Sequence, residues 1–171
     1  QPISKLNEGL VKVKVTRVWD GDSFIAKDTA GQAYEIRLAL IDCPEILGYS
    51  TKAQPYSRQA TDTMKALILG KNILLDTLVL KGDRQRDKWG RLLANAYFPS
   101  GESIQFLLVE KGLAWHVPNS DTRSRKLSGV LKAEMAEAKS DKRGLFASYI
   151  VDGKIARIYT PATWRAKYSR M

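Results

Sequence analysis

The chain has 171 residues, 44% of them hydrophobic and 27% charged, which suits one folded domain with a core and excludes a disordered tail. Lys and Arg outnumber Asp and Glu by 28 to 18, a net charge of +10, which favours polyanionic partners such as nucleic acid over a merely solubilising surface. No apolar run is long enough to cross a bilayer, and one cysteine with one histidine exclude an internal disulfide and a structural zinc site.

Along the chain, Val11, Val13 and Val15 alternate with Lys12, Lys14 and Thr16, the pattern of a half-buried strand that begins near Leu10. Asp20-Gly21-Asp22 marks a turn, Ser23 to Lys27 resumes the strand, Thr29-Ala30-Gly31 makes a hairpin turn, and Tyr34 to Ile41 returns. Helical spacing then places Ala60, Met64, Leu67 and Ile68 on one face, with Gly70 at the stop. Asn72 to Leu80 and Arg91 to Phe98 read as two further strands. A short helix around Ile104, Leu107 and Leu108 ends at Gly112, and a longer one carries Leu127, Leu131, Met135 and Ala138 to an end near Gly144. From about Tyr149 the tail is basic and aromatic, with Arg157, Trp164, Arg165, Lys167 and Arg170. The expected fold is α+β and mainly β: a five-stranded OB-type β-barrel with about three helices, in a single domain over residues 1–171.

Three clusters carry residues suited to chemistry. Trp19-Asp20-Gly21-Asp22-Ser23 lies at a turn, where Asp-Gly-Asp is by default a turn sequence. Arg37 to Glu45 closes the third strand, and uninterrupted alternation would set Arg37, Ala39 and Ile41 on one face, with Asp42 and Glu45 arriving where Pro44 ends the strand. One carboxylate there can hold a divalent cation, the other can take a proton from water, and the guanidinium can grip a phosphate. A salt-bridged rim with Asp42 capping a turn accounts for the same residues equally well. The third cluster, Asp83 to Arg91, reads as a charged loop, except that Trp89 beside Lys88 could stack on a base while Arg84, Arg86 and Arg91 meet phosphates. Any bound metal is expected to be a hard cation on oxygen ligands, because soft donors are so few.

In order and spacing, Asp-Gly-Asp-Ser, Ile-Arg-Leu-Ala-Leu-Ile-Asp-Cys-Pro-Glu and Asp-Lys-Trp-Gly-Arg resemble the staphylococcal nuclease (thermonuclease) family. Gly112-Leu113-Ala114-Trp115, Glu134-Met135-Ala136-Glu137-Ala138 and Arg143-Gly144-Leu145-Phe146 extend the likeness. Pro161-Ala162-Thr163-Trp164-Arg165 is similar to a C-terminal motif of many bacterial members. The similarity runs from about Val11 to Trp164.

The resemblance implies a calcium-dependent nuclease that hydrolyses DNA and RNA with low sequence specificity and leaves 3′-phosphate ends. By that likeness Asp22 and Asp42 are calcium ligands, Cys43 contributes a backbone carbonyl, Glu45 is the general base, and Arg37 and Arg91 hold the scissile phosphate. For Glu45, orienting the water instead of deprotonating it is the open alternative. Cys43 stands where the best-known member has threonine, and Trp89 where it has a tyrosine that contacts phosphate. The segment after Gly112 is shorter, and its base-stacking tyrosines have no match; His116 or Trp115 could take their place, core packing being the plainer role for Trp115. The alternative function is a non-catalytic OB-fold module that binds nucleic acid, which an intact set of catalytic side chains argues against. Further expectations are Ca2+ as cofactor, nucleic acid as partner, no membrane, no obligate protein partner, and a monomer. A chain that starts at Gln1 suits a removed leader or a trimmed sequence alike. In a largely exported family, that makes secretion or the periplasm the expectation.

Overall fold

The first alternating run forms β1 (Val11–Val18), whose valines at 11, 13 and 15 enter the core while Lys12 and Lys14 stay in water. The computed structural model describes residues 9–48, 51–80, 83–147, 149–151, 154–156 and 159–169. In it β1 passes through a bulge between Val15 and Arg17 into a meander with β2 (Ser23–Lys27) and β3 (Ala33–Leu38). Aspartates close both turns. Asp20 Oδ1 accepts from the amides of Asp22 and Ser23 and from the Ser23 hydroxyl, and Asp28 Oδ1 accepts from the amides of Ala30 and Gln32.

The third strand is shorter than its pattern suggests. β3 stops at Leu38, Leu40 sits in the left-handed region at φ 65°, and the chain restarts as β4 (Ile41–Asp42). The alternation from Arg37 to Ile41 is therefore broken: Ala39 and Ile41 are buried, while Arg37 lies opposite the buried faces of Ile36 and Leu38. The turn lets Ala39 N–H still reach Ala94 O at 2.9 Å while Asp42 peels away from the barrel wall.

Next, α1 (Ser57–Ile68) buries Ser57, Ala60, Met64 and Ile68, and Gly70, at φ 75°, donates its N–H back to Val15 O. The run expected through Leu80 divides at buried Leu78, whose N–H turns to Leu93 O. It gives β5 (Asn72–Thr77) and then β6 (Val79–Leu80), which pairs in a small separate hairpin with β7 (Asp83–Arg84). β8 (Leu92–Tyr97) closes the barrel in the order β1-β2-β3-β8-β5, with β3 and β8 the parallel pair. This is the expected OB-type closure.

Outside the barrel, Ser103 Oγ caps α2 (Ile104–Glu110) by accepting from Phe106 N–H, and β9 (Trp115–His116) pairs with β4. α3 (Arg125–Ser140) follows a 3-10 turn at Thr122–Ser124 that Asp121 caps. Gln105, polar within an apolar run, is fully buried and satisfied. Its Oε1 accepts from Ala96 N–H at 3.0 Å, and its Nε2 donates to Ala39 O and Asn95 Oδ1, each at 2.9 Å. It thereby ties α2 to β8 and to the turn after β3.

The tail is more than basic and aromatic. It forms a hairpin of β10 (Tyr149–Val151) and β11 (Lys154–Ala156), then a fourth helix, α4 (Pro161–Tyr168), where about three helices were expected. Thr160 Oγ1 accepts from Thr163 N–H and Pro161 occupies the first turn, a start signal that its basic composition concealed. Arg157 and Arg170, named with the tail, lie outside the described residues. Among the described residues, no helix is long and apolar enough to cross a membrane.

Candidate active site

Two turns at one rim of the barrel bring the first two clusters together. Asp20 is consumed in closing its own turn, which leaves Asp22 to face the end of β3. Its Oδ2 accepts from Cys43 N–H at 2.7 Å and lies 3.3 Å from Arg37 Nη2, while its backbone oxygen accepts from Leu38 N–H. Gly21 between the two aspartates has a steric reason. A Cβ there would stand 2.9 Å from Ala60 Cβ and from both Cβ and Sγ of Cys43. The turn is thus wedged between α1 and the Cys43 side chain.

Arg37 wraps the turn that follows its own strand. Its Nη1 donates to the carbonyls of Leu38 and Ile41, and its Nη2 to Asp42 Oδ1 at 3.1 Å. One guanidinium therefore joins Asp22 to Asp42, and all three side chains are largely withdrawn from water. Burial pushes the Asp22 carboxyl well above the usual carboxylate range; Arg37 opposes this, and Asp20 and Asp42 add to it. Burial, and then Asp22, likewise push the Cys43 thiol up.

Glu45 sits half-buried on the loop beyond Pro44. Gln54 holds it from both sides, donating its backbone N–H to Glu45 O at 2.8 Å and accepting Glu45 N–H on Oε1 at 3.1 Å. Burial raises the Glu45 carboxyl, and a hydrogen bond from Arg165 works against the rise. Arg165, on α4, also donates through both nitrogens of its fork to Asp42, at 3.2 and 2.9 Å. Sequence reasoning assigned no role to Arg165 or Gln54. The one available signal was the Pro-Ala-Thr-Trp-Arg motif, read there as part of a family likeness.

The third cluster lies one strand over. Arg37 is in register with Leu93 across the parallel β3–β8 pair, and Arg91 precedes Leu93 by two residues. Among the described residues no hydrogen bond or ion pair joins Arg91 to Asp22, Asp42 or Glu45. Instead Asp87 holds it: Oδ2 accepts from Arg91 Nε at 2.6 Å, and Oδ1 accepts from the amides of Trp89 and Arg91. Asp87 is thus the organiser of a loop in which Trp89 stands 67% exposed, with Lys88 Nζ 4.4 Å and Arg91 Cζ 5.2 Å from its ring centre. Arg86 donates to Gly90 O within the same loop, and Arg84 ends β7 beside it.

His116 reaches the centre only through its backbone, by the β4–β9 pair. Its Nε2 lies 2.7 Å from Ser128 Oγ, and burial, with Lys132 nearby, lowers its pKa. Trp115, opposite Asp42 in that pair, is buried edge-on against Phe146, the core role expected of it.

For a metal, the donors present are hard. Among the described residues no group of three or more His, Cys, Asp and Glu side chains is gathered as a metal site, and the hard donors that lie together are the Asp22 and Asp42 carboxylates, bridged by Arg37. Four carboxyl groups (Asp20, Asp22, Asp42, Glu45) share this rim with two guanidiniums (Arg37, Arg165), an acid-rich setting that would suit a divalent cation.

An OB-type barrel with buried carboxylates and guanidiniums at its rim, and an exposed aromatic beside further cations, has the make-up of a barrel nuclease of the phosphodiester-hydrolysing class. Comparison with known proteins gives the family. A model described as staphylococcal nuclease homologue matches residues 35–148, more than half of the chain. An uncharacterized endonuclease of Escherichia coli is 36% identical over 134 residues, 78% of this chain and 76% of that protein. The endonuclease YncB of Bacillus subtilis is 36% identical over 146 residues, covering 85% of this chain and 66% of YncB. The thermonuclease of Staphylococcus hyicus is 32% identical over 101 residues, 59% of this chain and 56% of its own length. The chain belongs to the staphylococcal nuclease family.

Proposed function

We propose that this nuclease is calcium-dependent, cleaves DNA and RNA with low sequence specificity and leaves 3′-phosphate ends. The observation that carries the reading is the closure of Asp22, Arg37 and Asp42 into one buried group, with Glu45 linked to it across Arg165. Asp22, Asp42 and the Cys43 carbonyl are the groups to hold the cation. When bound, it offsets phosphate charge and polarises the P–O bond.

The chain's own residues supply the rest. Glu45 accepts a proton from the attacking water, or orients it. The guanidiniums of Arg37 and Arg91 grip phosphate oxygens whose charge grows as the water oxygen bonds to phosphorus. The P–O5′ bond breaks, the 5′ oxygen takes up a proton, and the phosphate stays on the 3′ side. Trp89, with Lys88, Arg84 and Arg86, offers stacking and backbone contacts to a strand beyond the scissile bond, and His116 borders the site on the β9 side. Stacking and backbone contacts of this kind carry no sequence information, in keeping with low sequence specificity. A monomer that needs no protein partner and acts outside the cytoplasm, secreted or periplasmic, completes the proposal, since calcium is abundant there.

Digestion of single-stranded DNA at slightly alkaline pH, with calcium, with magnesium and with a chelator, tests it. Cleavage in calcium that the chelator stops, yielding 3′-phosphate ends, supports the reading. DNA retained at low salt but uncut under every condition overturns it in favour of a binding module.

A further inference from the structure

Arg165 belongs to no step of the mechanism above, yet it occupies the centre. Its fork lies on Asp42 at 2.9 and 3.2 Å and reaches Glu45 Oε1, so Asp42 carries two guanidiniums, Arg37 and Arg165. The two are held differently. Arg37 is also bound by two backbone carbonyls and is mostly covered, whereas the Arg165 side chain keeps 41% of its surface in water.

The helix that delivers Arg165 is firmly seated. Trp164 beside it is 1% exposed and donates Nε1–H to Lys52 O at 2.9 Å, while Gln54 Nε2 donates to Tyr159 O at 2.8 Å. Thr51 N–H donates to Tyr168 O at 2.8 Å as well. Because Gln54 also brackets Glu45, α4 and the Glu45 loop form one packed unit. Arg165 can therefore swing off its carboxylates without unseating the helix. A divalent cation on Asp42 would share that carboxylate with an adjacent like charge, and the repulsion is relieved when the exposed guanidinium leaves.

We propose that Arg165 is a resident counter-cation of Asp42 and Glu45 that competes with the divalent cation, so that the C-terminal helix sets cation affinity. The inference rests on the reading of Asp22 and Asp42 as cation ligands. It makes Arg165 a positioning residue. It keeps the two carboxylates ordered while no cation is bound, and it leaves Asp42 as the cation arrives.

Calorimetric titration of Ca2+ into the full chain, without nucleic acid, tests this with Arg165→Gln and Arg165→Lys. The Gln variant is expected to bind calcium about tenfold more tightly, equivalent to about 1.4 kcal/mol, and the Lys variant to fall between it and the parent. In the parent, the Arg165 Nε–H resonance, assigned by its loss in the Gln variant, shifts as calcium is added. The same spectra check that α4 stays folded. Equal or weaker calcium affinity in Arg165→Gln, with binding retained, overturns the competition and leaves the cation ligands standing. If neither parent nor variant binds calcium, the cation reading itself falls, and this inference with it.

Discussion

Two side chains show how much rests on single residues. Arg37 holds Asp22 and Asp42 at once, and Arg91 is presented by Asp87 one strand away. In the proposed mechanism each meets charge that develops in the transition state, so Arg37→Ala and Arg91→Ala should each lower turnover at least about a hundredfold in steady-state digestion. The barrel should persist in both, because neither side chain is part of its core. Near-parental turnover in both would remove the guanidiniums from the chemistry. His116 carries a stability prediction. Its pKa in the folded protein lies below 6.5, so between that value and the folded pKa the unfolded chain binds more protons. Its contribution is unchanged above the ordinary pKa and is lost as pH falls from there through the folded pKa. Melts from about pH 8 to about pH 5 should show His116→Gln losing less stability than the parent. Parallel curves for the two proteins would contradict this.

At the scale of elements, the rim is made precise by a buried polar residue that touches none of the candidate catalytic side chains. Gln105 reaches from α2 to Ala39 O, in the turn whose carbonyls at Leu38 and Ile41 receive the Arg37 fork. Replacing it with Leu keeps the volume but strands Ala96 N–H, Ala39 O and Asn95 Oδ1, each worth about 1–3 kcal/mol when buried without a partner. Gln105→Leu should therefore lower stability in urea unfolding by several such increments. It should also lower turnover beyond what the lost fraction of folded protein explains, because the turn under Arg37 loosens. Parental activity in the folded fraction would separate the network from the site.

For the whole molecule, the surplus of ten positive charges is spread over a surface that also contains the Trp89 loop. Binding to single-stranded DNA in the presence of a chelator should weaken with salt. If Arg37, Arg84, Lys88 and Arg91 each meet a phosphate, about four contacts at about −0.7 apiece give a log–log slope near −3. A slope near zero would mean that the charge is only a solubilising coat. Substituting Lys88 should bring the slope down by less than one and leave all DNA sequences equally affected, as backbone contacts require.

Much of this was legible in the amino-acid order, for a physical reason: the signals are short-range. Alternation at Val11, Val13 and Val15, the aspartate turns and the glycine at position 70 each act within a few residues, so five strands and the first three helices could be read one after another. The clustering of Arg37, Asp42, Cys43 and Glu45 is equally local. What tertiary structure alone decided involves partners far apart in the chain. The left-handed turn at Leu40 ends β3 early because Ala39 is pinned by Ala94 and Gln105, 55 or more residues away. Asp22 and Asp42 meet because Gly21 lets their turns close on Cys43. Arg165 reaches Asp42 across 123 residues, brought there by the burial of Trp164, and the Pro-Ala-Thr-Trp-Arg motif of the tail does not by itself name that partner.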